Sequence, residues 1–340
     1  VALVFVGGLS DLVGRRPVIV AALAVEVAAM LLFAFAPSIG WIIAARVVQG
    51  LATGAATSAY SAALLELAGD RYRKLGALFG SLAPAGGLAL GILAGGAAAQ
   101  LSATPVPLLF SIIAAVMVLA GLVALLSAET VGPRPGAFAS LAPRVRMPRP
   151  ARPEFAASVP LLISSWMLAG LALGLIPLVL RSRFLVDSGL VVGITSALEP
   201  AAAAVIGLII GIRLSARRTT ELGGASVLLG SALILLSLVL PAYALLVLGS
   251  VVGGAGFGAI FSGALRSIAP RVRPRERAEA FSAVFLVSYL SFGIPAIIAG
   301  LLIAPLGLLP VTLGYLAVIL AFALIGIGAQ WRLERSPQAP

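Results

Sequence analysis

The sequence predicts an all-α integral membrane protein with about ten full transmembrane helices and an N-terminal stub. Three observations predict it. Hydrophobic residues make up 61% of the 340 and charged residues only 10%, with a mean hydropathy of +1.15. A soluble domain carries about 25% charged residues. Apolar runs of roughly 18 residues or more, long enough to cross a bilayer as a helix, recur about ten times. Lysines and arginines crowd every second connection, as they do when the basic loops of a multi-span protein share one face.

The elements follow in order. Residues 1–7 read as the tail of a helix, which sets the expectation that its start lies upstream of Val1. Spans are then expected at 17–36, 40–64, 75–98, 105–127, 156–180, 190–212, 222–240, 242–268, 279–303 and 308–330. Residues 128–154 are rich in proline and arginine and carry no apolar period, so they read as a cytoplasmic linker. That linker divides an N-terminal helical bundle, residues 1–127, from a C-terminal bundle, residues 155–330, with a tail at 331–340.

Charge supports the count of spans. One set of loops holds Arg15 and Arg16, then Arg71, Arg73 and Lys74, then the linker arginines, then Arg213, Arg217 and Arg218. It ends with the cluster from Arg266 to Arg277 and with Arg332 and Arg335. The intervening loops hold only Arg181 and Arg183. A lysine and arginine excess marks the cytoplasmic side, so the linker and the C-terminus belong there, in a multi-pass protein of the inner membrane. This asymmetry absorbs the net charge of +11 without invoking nucleic acid; anionic lipid is the expected partner of these arginines.

The two halves resemble each other. "YSAAL" at 60–64 and "FSGAL" at 261–265 fall at matching places, and each precedes a basic loop. Internal repeats of this kind are a signature of transporters. There is no cysteine and no histidine, so disulfides, thiol chemistry and Cys/His metal sites are excluded. No carboxylate cluster suggests an enzyme, no cofactor is implied, and no P-loop suggests drive by ATP.

The charges that remain lie in a few places. "GGLSDLVGRRPV", residues 7–18, places Asp11 and Arg15 four apart, on one face of a short helix. Arg46 lies inside a span, where a charge costs roughly 2.5 kcal/mol or more and must face protein or a water-filled cavity. Glu26 and Glu199 lie mid-span, the latter beside Pro200, which loosens its helix. A carboxylate in such a place can carry a proton. Glu199 is the better candidate, and a packing role suits Glu26.

These residues carry a resemblance. Gly8, Leu9, Asp11, Gly14, Arg15 and Arg16 match the loop signature G-x-L-x-D-x-x-G-R-R of the major facilitator superfamily. Arg46, Gln49, Gly50 and Gly54 resemble its fourth-helix motif. The stretch containing Gly80, Pro84, Gly86 and Gly87 resembles the fifth-helix motif of drug–proton antiporters. It departs from that motif at Ala83 and in the early placing of the glycine pair.

The resemblance implies two six-helix bundles around a central cavity, with the first helix lacking from this chain. It implies a latch in which Asp11 faces the stretch from Glu279 to Ser282 and Arg15 pairs with Glu66 or Asp70. It implies a cavity-lining role for Arg46 and Gln49, coupling to protons at Glu199 or Glu26, and helix bending and packing at Gly80, Pro84, Gly86 and Gly87. Transport of a small molecule by a monomer is then expected, driven by a proton gradient. Efflux of amphipathic compounds is the specific reading. A sugar or metabolite porter and an inactive remnant are the alternatives.

Overall fold

Proline and glycine punctuate a chain that is otherwise helical almost throughout. The computed structural model describes residues 10–132, 146–273 and 276–335. Gly8 and the stub lie outside the described residues, as do the side chains of Asp11, Asp70 and several neighbours between 58 and 82. Ten helical segments are long and apolar enough to cross a membrane. Backbone proximity groups residues 1–80 and 97–145 in one unit and residues 81–96 and 146–340 in a second.

In the first unit, α1 (Ser10–Val13) turns at Gly14 into α2 (Arg15–Ala34). α2 ends shortly before Pro37, whose ring disfavours helical backbone at the residue before it. α3 runs from Ile39 to Leu101, its residues 81–96 grouping with the second unit, and α4 (Pro105–Leu126) opens on a proline at its first position, where the missing N–H costs nothing. Val18, Ile19 and Leu23 of α2 pack against Ala59 and Ala63 of α3. Met30 and Phe33 of α2 pack against Ala45 of α3 and Ala114 of α4, and Phe33 stacks on Phe110 at 5.0 Å.

α3 contains both of the spans expected at 40–64 and 75–98, but they are joined by helix where a basic loop was expected. It is one helix of 63 residues. The reason lies in the connecting residues. "LLELAGDRYRKLGALF" is mostly Leu, Ala, Glu, Arg and Lys, which are strong helix formers; Gly69 and Gly76 weaken it, but it holds no proline to end the helix. Two membrane-length apolar stretches remain within it, Ile39–Thr57 and Ala83–Leu101, separated by the charged segment.

In the second unit, a 3-10 turn at Arg149–Ala151 leads into α5 (Arg152–Gly174), four residues earlier than the span expected from 156. α6 (Ile176–Ser182) follows a break where Pro177 removes a helical donor. α7 (Gly189–Ala202), a π turn (Ala203–Gly207) and α8 (Leu208–Arg213) form one span. α9 (Ala216–Val239) is capped by Ser215, whose hydroxyl accepts from Arg218 N–H at 3.4 Å. α10 (Tyr243–Ile268), α11 (Arg277–Leu306) and α12 (Leu308–Arg335) complete it. Gly307, at φ +87°, makes the turn between the last two.

The core of this unit joins Leu161, Leu168 and Leu171 of α5 to Ile234 of α9, Ile260 of α10 and Leu316 of α12. α9 and α10 cross with backbones touching. A methyl group at Gly230 would collide with the Gly253 backbone, so position 230 needs glycine for this approach. Buried hydroxyls such as Ser164, Ser250, Ser288 and Thr312 donate to carbonyls three or four residues back, which satisfies them without a partner helix. Large apolar side chains point outward all along the spans, Leu126 at 89% and Leu301 at 72% exposure. Such surface is unfavourable in water and at home in lipid.

Candidate functional site

The turn into α2 is built around a carboxylate that sequence reasoning left in the linker. Glu129, just past α4, accepts from Arg15 N–H at 2.9 Å through Oε1 and from Arg16 N–H at 3.0 Å through Oε2. The N–H groups of Thr130 and Val131 donate to the same Oε1 at 3.0 and 3.1 Å. An anion there meets unsatisfied donors and the positive end of the helix dipole. Gly14 makes the fit possible. Its φ is +111°, and a Cβ on it would lie 2.7 Å from Glu129 Oε2. The signal in the sequence was an acid directly following an apolar span, on the same side as Arg15 and Arg16.

Arg15 extends the network. Its Nη2 and Nε donate to the Glu66 carboxylate at 3.2 and 3.5 Å, and Nη1 donates to Ser10 Oγ at 2.6 Å. Thr130 Oγ1 also donates to Glu66. Arg16 Nη1 reaches the Ser127 carbonyl at 3.4 Å. Of the two acids named for Arg15, Glu66 is a partner, and the side chain of Asp70 lies outside the described residues. The Glu66 side chain is 35% exposed, so solvent screens the pair and its worth falls to about 1 kcal/mol, the low end of the range for a latch.

Both carboxylates titrate below their ordinary value of 4.5. Partial burial opposes ionisation of Glu66, but hydrogen bonds from Thr130 and Arg15 and the Arg15 charge outweigh it. Burial likewise opposes ionisation of Glu129, and four backbone donors overcome it.

A polar face lies deeper in the same unit. Arg46, Gln49 and Thr53 follow one another at helical spacing on α3. Arg46 Nη1 donates to Gln49 Oε1 at 2.7 Å, and its guanidinium sits 4.9 Å from the centre of the Phe33 ring. The α2 helix therefore gives Arg46 a cation–π partner. Glu26, 5% exposed, accepts from Thr53 Oγ1 through Oε1, while Oε2 finds no partner among the described residues. Thr53 is the member of this face that the sequence did not single out, because a lone threonine in an apolar run carries no signal.

Glu199 lies in the second unit, on α7. It is 2% exposed, and neither carboxylate oxygen has a hydrogen-bond partner among the described residues. Ser196 Oγ, one turn earlier, is buried and unpartnered too. Gly254 of α10 packs directly on the Glu199 backbone, 2.8 Å separating its ideal Cβ position from Glu199 Cα. Nearby on α10, Phe257 and Phe261 meet Trp166 of α5 edge-on at 5.3 and 5.8 Å. Tyr289 and Phe292 of α11 complete the cluster at 5.3 and 6.4 Å from Trp166, and Tyr289 is 44% exposed.

The fifth-helix motif has no comparable setting. Pro84 lies within α3 without breaking it, and a Cβ at Gly86 or Gly87 would meet nothing within 4 Å. Gly80 is helical, with no contact described. The close approach comes further along, where a Cβ at Gly96 would lie 2.6 Å from the Gly189 carbonyl and 2.8 Å from Gly193 Cα. Phe184 lies apart from the Trp166 cluster, edge-on to Tyr243 at 6.0 Å.

A family model described as Major Facilitator Superfamily matches residues 1–240. Among solved structures, the crystal structure of the human organic anion transporter MFSD10 (TETRAN) is similar, with a TM-score of 0.62 and 18% identity. The match covers 96% of this chain and 80% of that one, and at such identity the likeness is one of fold. No curated protein matches the chain in sequence at a significant level.

Proposed function

This chain belongs to the major facilitator superfamily, and from that membership we propose a secondary active transporter that works by alternating access and exports small amphipathic compounds in exchange for protons. It is a multi-pass membrane transporter of all-α fold. The observation that carries the finer reading is Glu199. It is the only acidic residue deep within the spans of residues 155–330, and it is buried with no hydrogen-bond partner among the described residues. An ionised carboxylate so placed is costly, and proton uptake removes the cost.

Other features support the same reading. The Trp166 cluster offers aromatic faces to an apolar compound and no fixed charge. Amides are nearly absent from the spans, where a sugar would need them; Gln49 and Gln100 are almost the only ones. The Arg15–Glu66 contact, with Asp11 beside it in sequence, serves as a latch of about the strength a switch can break in each cycle. Arg46 and Gln49 line the solute route, and Glu26 takes a secondary part in proton movement. Two bundles, residues 1–127 and 155–330, move about the linker at 128–154. The protein acts as a monomer in the inner membrane, with linker and C-terminus cytoplasmic, lipids around it and no cofactor.

A second reading, transport of organic anions, is favoured by the cation Arg46 within a span and by the description of the similar human protein. Purified protein in liposomes with an imposed pH gradient separates the two. Gradient-driven movement of an uncharged or cationic dye supports proton-coupled efflux. Movement of a fluorescent organic anion alone supports the second reading, and movement of a labelled sugar alone rejects both.

A further inference from the structure

The span that carries Glu199 is held at both ends and irregular in the middle. Near its start, Gly193 lies against Gly96, a Cβ on the former falling 2.9 Å from Gly96 Cα. Near its end, a Cβ at Gly207 would lie 2.8 Å from Gly258 Cα, and one at Gly211 would lie 2.9 Å from Ser262 Oγ. Arg266 of α10 then fastens the terminus, with Nη1 donating to the Gly211 carbonyl and Nη2 to the Leu214 carbonyl at 2.9 Å. The π turn Ala203–Gly207 begins four residues after Glu199 and ends on the Gly207 anchor. A π turn is one surplus residue in an α-helix, and with both ends pinned that residue cannot be released by rotating either end.

It can move along the helix. Pro200 has no N–H, so the Ser196 carbonyl lacks its α-helical donor. A π-type bond, five residues on, would give that carbonyl the N–H of Ala201. The site next to Glu199 therefore already lacks the bond that a π turn would break, and it would gain one. We propose that the surplus residue of this span migrates between Ala203–Gly207 and the stretch around Pro200, turning Glu199 out of its buried position and back while both ends of the span stay fixed. Moving the surplus residue past a position turns that position by up to about 100° and shifts it by about 1.5 Å along the axis. At Gly254, α10 touches Glu199 with backbone only, so no side chain there blocks the turn. Arg266 acts as a positioning residue that confines the motion to the middle. This device rests on Glu199 as the proton-carrying group proposed above.

Hydrogen exchange on the native protein tests it first. Amides of residues 201–206 should exchange at least about tenfold faster than those of 190–195 and 209–213, because only the middle opens. Uniform protection across 190–213 overturns the proposal. Deletion of Val205, which is 57% exposed, removes the surplus residue and keeps both anchors in phase. In this cysteine-free chain a lone cysteine in Glu199→Cys reports exposure. Its thiol should react at least about tenfold more slowly in the shortened span. Equal rates overturn the proposal, and if the shortened protein does not fold, the exchange pattern decides. The outcomes separate from those of the transport reading. Fast exchange at 201–206 with no proton-coupled flux keeps the migrating π turn and removes the reading, while coupled flux with uniform protection does the reverse.

Discussion

Gly14→Ala should damage the turn into α2 by two additive routes. Gly14 adopts φ +111° and ψ 151°, a region essentially closed to residues with a Cβ and costing about 1–3 kcal/mol. The new Cβ would also lie 2.7 Å from Glu129 Oε2 and expel that carboxylate from the Arg15 and Arg16 N–H groups. Losing such a helix-start acceptor costs about 0.5–2 kcal/mol. The expected total is roughly 2–5 kcal/mol, read as unfolding free energy in mixed micelles. Glu129→Ala alone should cost only the second part. In that background Gly14→Ala should cost only the first, because the group it would strike has gone. The double-mutant cycle should therefore show a coupling of about 0.5–2 kcal/mol. Strictly additive losses would refute the account of Gly14 and Glu129 as one fitted pair.

Three further outcomes follow from the same contacts. Glu66 and Glu129 have depressed folded-state pKa values, so their stabilisation is complete above the ordinary carboxylate range and lost as pH falls through the depressed values. Acid titration should accordingly loosen the α2 turn only below the ordinary carboxylate value of 4.5 in the wild type, and Glu66→Gln should flatten that part of the curve. Thr53→Val leaves Glu26 with no donor at either oxygen, so stability should drop by about 1–3 kcal/mol, and an unchanged melting curve would exclude the hydrogen bond. Single cysteines at Arg16, Arg217 and Arg273 should be labelled from one side of the membrane, and at Ser102 and Asp187 from the other. Labelling of Arg16 and Arg273 from opposite sides would overturn the topology.

Most span positions were legible because lipid imposes a simple rule: every apolar run of sufficient length folds as a helix, and its flanks show where it stops. Pro105, Ser188 and Gly307 mark such ends and match the structure within two residues, while α9 starts six residues before the expected 222. Both spans within α3 were legible, and only the segment between them was misread as a loop, because charge alone does not break a helix. Arg15 and Glu66 were legible through the resemblance of their motif. Glu129 and Thr53 were not, since their importance comes from what the fold brings beside them, the N–H groups of α2 and the carboxyl of Glu26. The π turn was only half visible: Pro200 signalled a loosened helix but not the surplus residue that follows it.

Glu199→Gln, reconstituted in liposomes, tests proton-coupled carriage most directly. The variant keeps the side chain's size and removes its titration. It should still exchange labelled for unlabelled dye across the membrane at a rate near wild type, while accumulation driven by a pH gradient disappears. Accumulation that persists at the wild-type level would contradict the account, because the proton would then be carried elsewhere.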